Sequence, residues 1–223
     1  VLHPKTIRPL MEQAISLRIL NTFRPHHEGT LILDAPSADR ALLPAIISAT
    51  GFSLIAIGSQ EDGWALPMAA RALRHLSEAR VEVFMFSQSF SEQSLNLVVR
   101  EQDQVHCLNL LCRQFGDGMA REWSALPLSN TDNGLGTFRT LGDICSLGTK
   151  DKVATVSVVG VPGWNDHGLA AHAFSAMGRL GTRVVAVAQA ATELSMSFCV
   201  PEGQLADTVR FLHRELGLED ENE

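Results

Sequence analysis

A short loop in the second half of the chain carries residue types that suit a small charged ligand. It runs from Trp164 to Gly168 and leads into an apolar helical pattern. A helix N-terminus offers unpaired backbone N–H groups and a favourable dipole, which suit a carboxylate. Gly168 would let a ligand approach the backbone closely, and Asp166 would face an ammonium group. The Gln189 amide could hydrogen-bond a hydroxyl or an ammonium group. The candidate ligand residues of this half are Asn165, Asp166, Gly168, Leu169, Ala170 and Gln189.

The first half of the chain has a corresponding loop with different chemistry. Pro67 stands where the second half has Gly168, and proline has no N–H to donate. The loop also contains Glu61 and Asp62, which disfavour a carboxylate and suit the basic end of a ligand. Backbone chemistry therefore favours the second loop. The candidate residues of the first half are Asp62, Gly63, Trp64 and Gln88.

No arrangement of residues in the sequence indicates catalysis or metal binding. Ser94 and Ser195 have no histidine placed beside them by any motif, so we expect them to bond within a sheet. His106, Cys107 and Cys112 lie on one predicted helix without a second ligand pair, which argues against a zinc site. The sequence has no glycine-rich phosphate-binding motif. We therefore expect no catalytic residue and no metal ligand in this chain.

The candidate residues occur twice because the chain repeats itself. Segments 68–99 and 169–200 align without a gap, and both contain the pattern Q-x-x-x-E-x-S. The alignment pairs Gln88 with Gln189 and Ser94 with Ser195. Similarity over such a length indicates two copies of one structural unit. Each glutamine also has a simpler interpretation, in which it satisfies backbone groups at the end of a sheet.

Each copy has the predicted order strand, helix, strand, strand, helix. In the first copy the helical periodicity places Leu66 and Val105 on the inward faces of the two helices. The order is most of a βαββαβ ferredoxin-like unit, an α+β fold with an antiparallel sheet and helices on one face. One strand per unit must come from elsewhere. Segments 44–49 and 143–147 are the candidates.

Three segments differ in character from the repeats. Near the N-terminus the pattern predicts a helix that starts at Pro4 and short strands at 16–21 and 30–33. Segment 116–142 is rich in Gly, Asn and Pro without periodicity, which is typical of a linker. The acidic run at 219–223 is typical of a solvated tail.

Composition excludes several classes of function. The 223 residues include 18 Lys and Arg against 25 Asp and Glu, a formal charge of −7, so nucleic-acid binding through a basic face is not expected. No apolar stretch reaches the roughly 20 residues of a membrane span, so no membrane partner is expected. Four scattered cysteines suggest free thiols in a reducing cytosol, and hence a cytoplasmic protein. The first residue is Val1, and we expect a piece of a longer protein.

Several motifs together resemble those of aspartate kinases. The opening VLHPKTI and the following LRILNTFRPHHEGTLI resemble the end of the catalytic domain in that family. The repeated units with SQSFSEQS and AQAATELS resemble the tandem ACT domains that follow it. The resemblance covers nearly the whole chain except the linker. The long segment between the units is somewhat similar to that of bifunctional aspartate kinase–homoserine dehydrogenases.

The resemblance implies a domain organisation. The two ACT domains of the family are interlocked, so segment 44–49 would complete the sheet of the second one, and family members form homodimers through these domains. The implied boundaries are the end of the kinase domain and a connector at 1–40, a first ACT domain at 41–115, a linker at 116–142, a second ACT domain at 143–218 and the acidic tail at 219–223.

The resemblance also implies a function. Aspartate kinases phosphorylate aspartate with ATP and Mg²⁺, and their ACT domains bind end-product amino acids that inhibit the kinase. The nucleotide- and aspartate-binding parts of the family lie upstream of Val1, so the chain itself would need no cofactor and would not be catalytic alone. We expect it to bind threonine or lysine, and in threonine-responsive members the glutamines matching Gln88 and Gln189 are tied to threonine. The alternative is an ACT-type dimerisation module that binds no effector.

Overall fold

The computed structural model describes residues 4–33, 44–59, 65–89, 91, 93–116, 124, 137–141, 145–160, 168–189 and 195–218. The chain divides into two compact units, residues 1–43 and 44–223. The remaining residues, among them the acidic tail, lie outside the described part of the chain.

The N-terminal unit contains one helix and a two-stranded antiparallel hairpin. Helix α1 spans Pro4–Met11, and strands β1 (Leu17–Ile19) and β2 (Thr30–Ile32) pair with each other. Gly29 has a φ of 70°, and a side chain there would collide with the carbonyl oxygen of Ile19. The structure confirms the helix and both strands that the sequence predicts in this unit.

The second unit contains the two repeats. Its helices are α2 (Ala65–Glu78), α3 (Gln104–Phe115), α4 (Gly168–Leu180) and α5 (Leu205–Glu215). Its strands are β3 (Ala45–Ser59), β4 (Val83–Ser89), β5 (Ser94–Arg100), β6 (Thr137–Leu141), β7 (Cys145–Val159), β8 (Ala186–Gln189) and β9 (Ser195–Pro201).

All strands of this unit belong to one antiparallel, hydrogen-bonded assembly. The strand order is β4-β5-β3-β7-β9-β8, and β6 pairs with β7 beside it. The two outer strands β4 and β8 also lie close to each other. Antiparallel order throughout agrees with the α+β prediction.

Two long strands run through both repeats. Residues 52–58 of β3 pair with β5 of the first repeat, whereas residues 45–49 pair with residues 155–159 of β7 in the second. In the same way, β7 pairs with β9 through residues 153–159 and with the first-repeat part of β3 through residues 145–150. Each repeat therefore takes one strand from the other, and the interlocked fold implied by the resemblance is confirmed.

Both long strands change repeat at a residue with positive φ. The repeat alignment that pairs Gln88 with Gln189 also pairs Gly51 (φ 78°) with Lys152 (φ 51°). The register of β3 against β7 shifts next to Gly51, between Ala49 and Leu54. The same backbone feature therefore marks the crossover in each strand, with glycine at one crossover and lysine at the other.

This difference predicts opposite effects of two substitutions on stability. Gly51→Ala should lower the free energy of unfolding by about 1–2 kcal/mol, because an L-residue is strained in the left-handed region. A Cβ at this position meets nothing within 4 Å, so no new packing contact would offset the strain. Lys152→Gly should raise it by about 0.5–1 kcal/mol by relieving the same strain. Urea denaturation of both variants measures this. Equal stability of the Gly51→Ala variant and the parent would contradict the prediction.

Each repeat packs its two helices on one face of its sheet. The first core lies between β3, β5 and helices α2 and α3, and its fully buried members include Ile55, Leu97 and Leu111. The second core lies between β7, β9 and helices α4 and α5, around Phe198 and Val156. A third cluster lies on the opposite sheet faces and joins residues of both repeats: Phe52, Leu54, Ala56, Met85, Val98, Val153, Ala186 and Cys199.

The structure corrects three sequence predictions. Leu66 and Val105 were expected to point inward, but they are 69% and 61% exposed; Met68 and Leu111 are buried instead. The segment 116–142 was predicted to be only a linker, yet it contains strand β6 at its C-terminal end. Its glycine-rich composition conceals a five-residue strand that pairs with β7.

Candidate functional site

The two predicted ligand regions lie at equivalent ends of the repeats. In the first repeat β3 and β4 both run antiparallel to β5. The C-terminal ends of β3 and β4 therefore lie at the same end of the sheet. Helix α2 begins at Ala65, soon after β3 ends at Ser59. The end of β4 and the N-terminus of α2 therefore lie at the same end of the repeat. Strands β7, β8 and helix α4 have this arrangement in the second repeat.

Gln88 and Gln189 occupy matching positions on the two outer strands. Gln88 pairs with Leu95 and Gln189 pairs with Met196. Directly paired residues of antiparallel strands point to the same face, and both partners belong to the helix-packed cores. Both glutamines are exposed. They therefore present their amides on the helix-bearing faces, at the same end as the helix N-termini.

The helix N-termini differ in the number of backbone donors. Helix α4 begins with Gly168 and Leu169, and neither helix has an acidic residue in its first turn. Pro67 lies in the first turn of α2 and removes one N–H. Ala170 is half-buried and packs against the second core. The second repeat thus has the more favourable end for a carboxylate.

Half of the predicted ligand residues lie outside the described part of the chain. These are Asp62, Gly63 and Trp64 in the first loop, and Asn165 and Asp166 in the second. Their predicted contacts with a ligand stay predictions.

The residues described by the structure show no grouping of side chains that could hold a metal ion. Burial raises the pKa of Cys107 and Cys199 to about 12 and that of Cys112 to about 11. The thiolate is the nucleophilic form of cysteine, so these three thiols are unreactive near neutral pH. They are packing residues, which agrees with their reading as free thiols.

The raised thiol pKa values predict a loss of stability in alkali. Cys107 and Cys199 keep their protons up to about pH 12 when folded, whereas the unfolded value is 9.0. Between these values the folded state holds more protons, so the free energy of unfolding falls as pH rises, by up to about 1.4 kcal/mol per pH unit for each thiol. Denaturation in urea at pH 8 to 11 measures this. A Cys107→Ala variant should show a shallower decline; an identical slope would contradict the assignment.

Sequence reasoning missed a polar cluster near the crossover of β7. The Gln104 side chain donates from Nε2 to Thr149 Oγ1 at 2.6 Å and to Asp151 Oδ1. Thr149 is 8% exposed, so the cluster reaches the interior. No local pattern could have indicated it, because Gln104 is more than forty positions from its partners and only the sheet pairing brings them together.

A second feature missed by sequence reasoning is an aromatic–arginine stack in the first repeat. The Arg100 guanidinium lies 4.7 Å from the ring centre of Phe52 and 4.4 Å from that of Phe84. The two rings meet edge to face at 5.0 Å. Phe52 belongs to the cluster that joins the repeats, so the cation–π stack adjoins that cluster.

Comparisons with known proteins agree with this geometry. Residues 156–216 match the ACT domain family. Bifunctional aspartokinase/homoserine dehydrogenases from Buchnera aphidicola and Haemophilus influenzae are 24% and 25% identical to this chain over 216 residues. Each alignment covers 97% of this chain and 24% of the relative. The chain thus spans about a quarter of the length of these curated relatives.

Solved structures of aspartate kinases share the fold. The Clostridium acetobutylicum enzyme superimposes with a TM-score of 0.73 at 18% identity, covering 97% of this chain and 44% of that one. Escherichia coli aspartokinase III gives a TM-score of 0.65 at 18% identity, covering 97% and 42%. The resemblance to the ACT-containing region of aspartate kinases is therefore confirmed. In the part of the chain that the structure describes, no helix is long and apolar enough to span a membrane.

Proposed function

We propose that this chain, as a regulatory ACT region of the aspartate kinase type, binds a free end-product amino acid where each repeat leads from a strand into a helix. The amino acid is threonine or lysine. The observation that carries the proposal is the matching placement of Gln88 and Gln189, each at the same end of its repeat as the N-terminus of α2 or α4. Binding would control phosphorylation of aspartate by ATP and Mg²⁺, carried out by parts of the parent protein that this chain lacks.

The chemistry of both ends fits a free amino acid. Backbone N–H groups at the start of α4 suit the carboxylate, and an exposed glutamine amide offers both a donor and an acceptor. The acidic first loop, with Glu61 and Asp62, suits the second ammonium group of lysine. Escherichia coli aspartokinase III, which shares the fold, has been solved in complex with lysine and aspartate in the T-state. That complex supports an amino acid as the class of ligand.

Isothermal titration calorimetry of the folded chain with threonine, lysine and methionine tests the proposal. We expect saturable heat with threonine or lysine and none with methionine. A folded chain that gives no saturable heat with any of the three would contradict effector binding. The same titration with D-threonine or D-lysine is the control, because a site that reads carboxylate, ammonium and side chain together discriminates between enantiomers.

A dimerisation module without effector is the second candidate. The observation in its favour is Pro67 in the first turn of α2, which takes a backbone donor from one of the two ends. A homodimer in size-exclusion chromatography together with silent titrations would favour this function. The parent activity is tested separately: the purified full-length protein should consume ATP with Mg²⁺ only when aspartate is present.

A further inference from the structure

The polar cluster of Gln104, Thr149 and Asp151 connects a helix of the first repeat to the strand that enters the second. Gln104 is the first residue of α3. Thr149 pairs with Ile55 in the first-repeat part of the sheet, and Asp151 precedes the crossover residue Lys152. Because the amide of Gln104 bonds both side chains, it links the start of α3 directly to β7 next to its crossover. We call this cluster the Gln104 clamp.

At the matching positions, all of which the structure describes, the second repeat has no counterpart of the clamp. The repeat alignment places Leu205, Ser48 and Thr50 at the positions of Gln104, Thr149 and Asp151. A leucine side chain has no hydrogen-bonding group, so α5 cannot hold β3 in the same way. The hydrogen-bonded connection at these positions is therefore one-sided, from α3 of the first repeat to β7, whereas α5 meets β3 through apolar packing.

A continuous set of contacts leads from the first candidate site to the clamp. Helix α2 starts at the first loop and packs on α3, where Arg71 donates to the carbonyl oxygen of Gln114 at 3.2 Å. The guanidinium of Arg71 also lies 5.1 Å from the ring centre of Phe115. Helix α3 carries Gln104 at its other end. Beyond the clamp, β7 runs to Val159, directly before the second loop.

We propose that the Gln104 clamp couples the two amino-acid sites, so that occupancy at the α2 end changes affinity at the α4 end; this rests on the proposed function. Gln104 acts as a positioning residue that touches neither ligand. It ties the helix layer of the first repeat to the strand that carries the second loop. Two sites are coupled when both bias one shared element, and that element is β7 at its crossover.

A cycle of variants measures the coupling by calorimetry with the amino acid that binds. Gln88→Ala removes the first site, seen as the loss of one binding equivalent. In the parent background this loss should change the affinity of the second site by about five-fold or more. In a Gln104→Leu background, which copies Leu205, it should change that affinity by less than about two-fold, since the clamp is absent.

Gln204→Leu is the matched control. Gln204 accepts a hydrogen bond from the backbone N–H of Arg183 at 3.1 Å, entirely within the second repeat, so this variant should keep the five-fold effect. Asp151→Asn should keep it too, because an amide oxygen still accepts from Gln104. A five-fold effect that persists in Gln104→Leu would overturn the inference. So would independent sites in the parent, whereas a parent without binding heat would overturn the proposed function itself.

Discussion

Replacing Phe198 with alanine should lower the free energy of unfolding by about 3–5 kcal/mol. Phe198 is fully buried in the second core, and its ring meets that of Phe174 edge to face at 5.4 Å. Alanine would leave a cavity that the surrounding strand and helices fill only in part. Phe23→Ala is the control: Phe23 is 93% exposed, so its loss should change stability by less than about 0.5 kcal/mol. Urea denaturation gives both values.

The same variant tests the interlocked fold. Because β3 and β7 belong to both sheets, damage to the second core should unfold the first repeat as well. Thiol labelling reports on each repeat, since Cys112 lies in the first core and Cys199 is on β9 of the second repeat. Both thiols should become reactive at the same, lowered urea concentration. Labelling of Cys199 well before Cys112 would show that the repeats unfold separately and would contradict the interlock.

Replacing Gln189 with alanine should weaken effector binding by about ten-fold or more. A hydrogen bond to a charged group contributes about 1.5–3 kcal/mol, and ten-fold in affinity corresponds to about 1.4 kcal/mol. Gln189 is exposed at the end of β8, so the fold should remain intact. Calorimetric titration measures the dissociation constant.

Gln102→Ala serves as the control for that experiment. Gln102 lies on the 3-10 turn before α3 and is exposed, away from the end of the repeat where Gln88 and Gln189 lie. Its replacement should leave affinity unchanged. If Gln189→Ala binds as tightly as the parent, Gln189 only satisfies the sheet edge, which is the simpler interpretation of its position.

The repeat made most of the fold predictable from sequence. Apolar periodicity and the shared Q-x-x-x-E-x-S pattern located helices α2 and α4 and the strands around them. A secondary-structure prediction is less ambiguous when the same pattern occurs twice in the chain. The short pattern does not fix the rotation of a helix about its axis. Leu66 and Val105 therefore turned out exposed, while Met68 and Leu111 take the buried positions.

Strand continuity was harder to predict. Segments 44–49 and 52–57 read as two strands because Thr50 and Gly51 interrupt the apolar run, yet they form the single strand β3. A positive φ at Gly51 lets the strand bend between sheets without ending. Strand β6 was missed for another reason: its pairing with β7 is tertiary, and its five residues follow a glycine-rich stretch.

In the candidate site, too, the features set by local sequence pattern were predictable and the features set by tertiary packing were not. The positions of Gln88 and Gln189 at strand ends follow from local pattern and repeat, so sequence reasoning placed both on the right elements. The Gln104 clamp depends on two side chains of β7 meeting the start of α3. Such a meeting is decided by sheet register and helix packing, which no local pattern encodes.

A crystal structure of the chain grown with threonine or lysine tests the central claim most directly. The account predicts an amino acid whose carboxylate meets the backbone N–H groups at the start of α4 and whose polar groups reach the amide of Gln189, with a second molecule near Gln88 if both repeats bind. Crystals saturated with both amino acids, with these two ends accessible to solvent and neither amino acid bound there, would contradict it.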